Sequence, residues 1–311
     1  MSHIAARYEK KKNRIRINGV FYAIISSCSF GFSPLFSLGL IAAGLSNFDV
    51  LSYRWAIAAA VLMIYAASKG KTLRLRSFSE IWKIVLLSLL RSVTSITLLV
   101  GYANIASGIA STINFMYPVV VALCMMLFFG EKKSAVNIIS IIISIFGVYL
   151  LASGDGLKVE GGNTAMGLIC SIISAFSFAG YYIVMKLTKA DKIEVVKFTT
   201  WMMMLSAVYF IVCGLIFDGK ITLLSDLKLW GYIAGLGLWS TMISNFTGVK
   251  AVRRIGPTMT SILGALQPLT AVVLGVMFLN EHLGIRTILG ICIIMVTVTF
   301  IVAHQQTAKH H

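Results

Sequence analysis

One arginine stands in the middle of an apolar run. The stretch SLLRSVTSITLLVG, residues 88–101, carries Arg91 ten residues into a segment that extends from Ile81 to Gly101. At 1.5 Å per helical residue, Arg91 lies about 15 Å from the start of that segment. No Asp or Glu lies deep in this run or in any other. The guanidinium therefore has two uses open to it. It can bind helix carbonyls and lock two segments together, or it can meet an anionic ligand, which its planar fork grips through two parallel hydrogen bonds. Pro118 and Pro268 offer a second kind of chemistry. Each removes an intrahelical bond and frees the carbonyl four residues earlier, at Asn114 and Gly264. Such carbonyls accept hydrogen bonds from an ammonium group, with the side chains of Asn114, Tyr117 and Gln267 close in sequence. Pro34 in FGFSPLF and Tyr181 in SFAGYYIVMK give two further segments similar features.

These residues do not make a catalytic set. There is no HExxH, and His3, His282, His304, His310 and His311 are terminal or in a loop. The five cysteines (Cys28, Cys124, Cys170, Cys213 and Cys292) sit in apolar runs without CxxC spacing and read as small packing residues. The expectation is a protein that is not an enzyme and that uses no metal and no cofactor. A proton relay through a buried acid or His has no candidate either. Glu131 and Glu281 end two apolar runs and read as gate or loop contacts.

The elements that must position Arg91 are set by composition. Hydrophobic residues make up 58% of the chain and charged ones only 12%, about half the share in a soluble domain. Ten apolar runs follow one another: 18–40, 49–68, 81–101, 108–129, 134–153, 166–187, 197–217, 229–249, 257–279 and 284–303. Each is long enough to cross a hydrocarbon core of about 30 Å, and in lipid only helices satisfy the backbone of such runs. The fold class expected is an all-α polytopic membrane protein. Of the 27 Lys and Arg, 21 fall in the N-terminal tail and every second loop after it, 4 fall on the other side, and Arg54 and Arg91 remain inside runs. This bias places both termini in the cytoplasm. It also explains the net charge of +16 without nucleic acid as a partner. Arg54 opens the second run, where it reads as snorkelling to the surface.

The chain repeats itself. At a shift of 148 residues GVFYAIISSCSF (19–30) lies over GLICSIISAFSF (167–178) with six identities in twelve. At a shift of 150, YPVVVALCMMLFFGEKK (117–133) lies over QPLTAVVLGVMFLNEHL (267–283), aligning Pro118 with Pro268 and Glu131 with Glu281. Each copy holds five runs, and five is odd, so the second copy enters the membrane inverted. Two such halves related by an in-plane pseudo-two-fold suit alternating access around a central cavity. Arg91 falls over Trp239, and the two are expected to approach each other across the repeat.

Ten spans in a 5+5 inverted duplication, the PVVVALCMMLFFGEKKS and QPLTAVVLGVMFLNEHLG helix ends and the SYRWAIAAAVL opening of the second span resemble the drug/metabolite transporter superfamily, specifically its EamA-type members. The resemblance implies ten helices around a central cavity in a bacterial cytoplasmic membrane and transport of small metabolites, often export. It also marks Arg54 as a position where the family often carries Arg, which favours a structural role. The organisation expected is a basic tail at 1–17, a first repeat at 18–153, an external linker at 154–166, an inverted repeat at 167–303 and a cytoplasmic tail at 304–311. Expected partners are a small-molecule substrate and the lipid bilayer, with the protein a monomer or homodimer. The substrates expected are amino acids or related organic anions and zwitterions. Multidrug efflux and a non-transporting receptor or scaffold are the competing readings.

Overall fold

The computed structural model describes residues 2–75, 77–128, 135–154, 159, 161–224 and 226–307, with side chains described over the same ranges except 2–16, 135–137, 191, 256–259, 261–262 and 301–307. Glu131 and residues 155–158 and 160 of the expected linker lie outside the described residues. The described elements are helical: α1 Ser2–Gly31, α2 Ser33–Ala42, α3 Asn47–Ser68, α4 Phe78–Asn104, α5 Ser107–Asn114, α6 Tyr117–Phe128, α7 Ala135–Ala152, α8 Thr164–Leu187, α9 Val195–Phe217, α10 Leu227–Ala234, α11 Ser244–Leu263, α12 Leu266–Phe278 and α13 Ile285–Thr307. A π-helix, Gly235–Ile243, joins α10 to α11. Several helix starts are fixed by side-chain caps. Ser46 and Asp49 form a capping box on α3, while Ser77, Asn163, Glu194 and Asp226 cap α4, α8, α9 and α10.

Apolar burial inside the bundle and exposure outside it fit a protein solvated by lipid. On α7, Ile138, Ile139, Ile142, Ile145 and Tyr149 are exposed, while the interior is filled by residues such as Trp55, Ile109, Phe115 and Met203. The main packings join one repeat to the other: α1 on α11, α8 on α4, α3 on α9, α5 on α12 and α7 on α13. The first two are images of each other under the repeat, and the last three pair a span with its own image. That is what an inverted pseudo-two-fold requires, and the chain is a ten-helix membrane bundle of two inverted five-helix repeats. Two glycines show the relation at atomic scale. A Cβ on Gly19 would collide with Ile255, and a Cβ on its repeat partner Gly167 would collide with Ile105, so both close helix approaches need glycine.

Two sequence expectations need correction. The loop expected between 249 and 257 is absent, because α11 continues to Leu263 along α1, with Arg254 and Lys250 stacked over Tyr22. Tertiary packing overrides the charge signal of Lys250, Arg253 and Arg254 there. The lost bond at Pro34, Pro118 and Pro268 suggests a kink within a continuous helix, and the helices break instead. α1 stops at Gly31 and α2 starts beyond Phe32 with Pro34 in its first turn, α5 and α6 are separated at Phe115–Met116, and α11 and α12 at Gly264–Ala265.

The bundle is tied at both ends by matching contacts. At one end the Tyr53 hydroxyl donates to the Thr222 carbonyl at 2.9 Å, and the Thr222 N–H donates to Asp49 at 3.0 Å. At the end that carries both termini, the Trp201 indole donates to the Leu73 carbonyl at 2.7 Å. Tyr53 and Trp201 are repeat partners at the 148 shift. Two ion pairs strengthen the second end: Lys197 with Glu80 at 2.9 Å and Lys71 with Glu194 at 2.6 Å.

Candidate functional site

Arg91 faces the interior on α4 and is 6% exposed. Its guanidinium carbon lies 4.6 Å from the centre of the Phe178 ring and 5.6 Å from that of Phe30. Phe30 and Phe178 are repeat partners at the 148 shift, so the pseudo-two-fold brings one aromatic from each copy to the same cation. Among the described residues the Arg91 guanidinium donates no hydrogen bond and forms no ion pair. Tyr102, Tyr117, Tyr181 and Tyr182 lie within electrostatic reach of it. An arginine that presents five N–H donors to aromatic faces alone is short of acceptors.

The wall beyond Phe178 is aromatic. Phe178, Tyr181 and Tyr182 share one face of α8 at helical spacing, and Tyr117 at the start of α6 stacks on Tyr182 at 5.1 Å and lies 4.6 Å from Phe178. Asn114, at the end of α5, is buried and accepts a hydrogen bond from Ser174 of α8 at 3.1 Å. Of the residues singled out by sequence, Tyr117 and Tyr181 thus gather around Arg91, and Asn114 lies in the same α5–α8 contact.

Arg54 does not snorkel. It is 5% exposed, donating from Nε to Thr241 at 2.6 Å and from Nη1 to Ser33 at 3.0 Å, with its guanidinium carbon 5.5 Å from the Phe30 ring and 5.7 Å from that of Trp55. Arg54 lies two turns into α3, and the side chain turns into the bundle because hydroxyls from α2 and the π-helix meet it there. The π-helix makes this possible: its Thr241 hydroxyl donates to the carbonyl five residues back, at Leu236, while accepting from Arg54.

The expected approach of Trp239 to Arg91 is not observed. Trp239 is 48% exposed and packs edge-on against Phe32 at 6.4 Å. The π-helix takes more residues per turn than α4, so positions equivalent in sequence no longer share a face. Gln267 is half-buried, and its backbone carbonyl crowds Gly31 at the α1–α2 break. The carbonyl of Gly264, expected to be freed by Pro268, accepts from the Gln267 N–H at 2.9 Å, because the broken helix recovers it with a bond three residues long. Glu281 caps α5, accepting from Ser107 N–H at 2.6 Å and Gly108 N–H at 3.4 Å.

The tetrapeptide Phe30–Ser33 connects these parts. Phe30 touches both arginines, Gly31 meets α12, Phe32 meets Trp239 and Ser33 bonds Arg54. Sequence reasoning passed over Phe30, Phe178, Ser33, Thr241 and Tyr182. The signal for the first two was present, since they close the two aligned segments of the repeat.

The sequence pattern of the EamA-like transporter family matches residues 17–153 and again 165–303. Relatives include an uncharacterized transporter of Archaeoglobus fulgidus, 22% identical over 83% of this chain and 89% of its own. The inner membrane transporter YedA of Escherichia coli is 27% identical over 56% of this chain and 55% of its own. A WAT1-related protein of Arabidopsis thaliana is 24% identical over 88% and 81%. One solved crystal structure shares the fold, with a TM-score of 0.65 over 96% of this chain and 99% of its own at 13% identity. With two matched halves that coincide with two packed repeats, the chain belongs to the EamA-like transporter family and is a membrane transporter.

Proposed function

We propose that this transporter carries small organic anions or zwitterions with apolar bulk, such as amino acids, across a bacterial cytoplasmic membrane by alternating access, as an exporter or exchanger. One observation carries the reading: Arg91, deep in the bundle, has its charge met by no acid and its N–H groups by no acceptor among the described residues. Holding an arginine at that depth costs about 2.5–3.5 kcal/mol, and a substrate carboxylate offsets this when it binds. Phe178, Tyr117 and Tyr182 supply the apolar face for the rest of the molecule, and Tyr181 adds a hydroxyl. A fixed cation in the site repels lipophilic cations, which argues against multidrug efflux of that class. The charge bias of 21 to 4 supports cytoplasmic termini, with Asn163 outside.

Flux into liposomes tests the reading. Wild-type protein should move carboxylate-bearing amino acids, and Arg91→Lys should lose roughly tenfold or more while folding normally, because a point charge replaces a bidentate fork. Equal flux in both proteins would remove Arg91 from the site. Labelling of an Asn163→Cys variant by an impermeant thiol reagent should succeed from outside the cell, and protection would reverse the orientation.

A further inference from the structure

Arg54 and Arg91 share one ring. Each guanidinium carbon lies within 5.6 Å of the centre of Phe30, 5.5 Å for Arg54 and 5.6 Å for Arg91, so their separation is at most twice that distance. Their other contacts are neutral: Ser33 and Thr241 accept from Arg54, Trp55 stacks on it, and Phe178 stacks on Arg91. The carboxylates of Asp49 and Glu281 form no ion pair with them among the described residues. Asp49 is spent on the backbone N–H groups of Ser46 and Thr222, and Glu281 on those of Ser107 and Gly108. The interior therefore holds two like charges in a medium that screens them poorly.

Donors also outnumber acceptors on the Arg54 side. Its Nη2 group donates to no described residue, and Trp55, wholly buried beside it, has an indole N–H without an acceptor. Ser52 on the same helix and Ser92 next to Arg91 carry buried hydroxyls without partners. What this region lacks among the described residues is a negative acceptor, since a serine hydroxyl can accept a hydrogen bond but brings no charge to meet the two guanidiniums.

We propose that the substrate carries two anionic groups: one carboxylate or equivalent group on Arg91 and a second on Arg54 and the Trp55 N–H, with Phe30 between them. This rests on the Arg91 reading above and narrows it from organic anions and zwitterions in general to short dicarboxylates and acidic amino acids. Two anionic groups a few carbon atoms apart neutralise both guanidiniums at once, which a single carboxylate does not.

The test is competition between near-isosteres in proteoliposomes. Aspartate and asparagine have almost the same shape and differ by one charge. Wild-type protein should move aspartate and succinate roughly tenfold or more faster than asparagine, the difference expected when one charged hydrogen-bonding group is lost. Arg54→Gln should bring aspartate down to the asparagine rate, and Arg91→Lys should lower all three. Asparagine carried as fast as aspartate by wild-type protein overturns the second anionic group and leaves the Arg91 reading intact, provided Arg91→Lys still loses roughly tenfold or more. A preference for aspartate that survives Arg54→Gln also overturns it. Transport of none of the three, with apolar amino acids such as phenylalanine still moved, overturns the second anionic group alone, and transport of no carboxylate-bearing amino acid overturns both readings. Should Arg54→Gln fail to fold, the wild-type ratio of aspartate to asparagine decides the matter alone.

Discussion

Arg54 and Arg91 both contact the Phe30 ring, are buried to nearly the same degree, and are held in opposite ways. Arg54 is anchored: two hydroxyls from α2 and the π-helix accept its N–H groups, and Trp55 lies against it. Arg91 meets aromatic faces and tyrosines, and among the described residues its guanidinium donates to no acceptor. The difference teaches that burial of a charge does not by itself say whether the protein or a ligand answers it. The acceptors around the group say so. An anchored arginine belongs partly to the fold, and an unanchored one awaits something from outside.

The largest effect on stability is expected at Arg54. Arg54→Ala removes two hydrogen bonds to a charged group and leaves a void beside Trp55, a loss of about 2–4 kcal/mol. Thermal unfolding in detergent should show a drop of several degrees. An unchanged melting temperature would place Arg54 in the same class as Arg91 and erase the contrast. Dissecting the anchor gives smaller steps. Ser33→Ala and Thr241→Val should each cost about 1.5–3 kcal/mol, and the costs should persist in an Arg91→Ala background, because Arg91 touches neither hydroxyl. Loss of additivity would mean that the two arginines act as one network.

Contacts away from the pair sharpen the comparison by leaving it alone. Glu281→Ala unties the start of α5 and should cost about 1 kcal/mol, the worth of a helix cap, without changing which substrates are preferred. The smallest effect is expected at Glu194, whose ion pair with Lys71 is more than a third exposed on both sides. Partial burial raises the Glu194 carboxyl, but the hydrogen bonds from Lys71 and from the N–H groups of Lys197 and Val196 outweigh it and hold the acid below its ordinary value. A lowered acid stabilises at any pH above the ordinary carboxylate range and loses that contribution as pH falls through its own lower value. Glu194→Gln should therefore cost under about 1 kcal/mol at neutral pH and nothing in strong acid. A cost that grows on acidification would contradict the direction of the shift.

Much of this was legible in the sequence, for physical reasons. Lipid as solvent forces long apolar helices, and the repeat sets their inverted arrangement, so the spans follow from the residue pattern, whereas the packing of α1 on α11 and of α8 on α4 has no mark in it. Arg91 was legible because an unpaired charge at mid-span is costly enough to stand out. Arg54 was not, because depth was judged from its distance to a helix start, while the hydroxyls of Ser33 and Thr241 that draw it inward come from helices 21 and 187 residues away. Trp239 was misplaced for a related reason. The π-helix at Gly235–Ile243 has no clear mark in residue types, yet it rotates the face on which the repeat relation was projected. Phe30 and Phe178, which meet the Arg91 guanidinium from the two copies, sit at the ends of the aligned segments and were passed over because phenylalanine in lipid reads as packing.

The measurement that tests the account most directly is melting temperature and flux determined together for Arg91→Ala. The cost of burying an uncompensated charge disappears with the side chain, so the substrate-free variant should melt at or above the wild-type temperature, while flux of acidic amino acids falls to background. A large loss of melting temperature, with flux per folded molecule preserved, would make Arg91 a clamp of the bundle and contradict its role as the ligand for substrate.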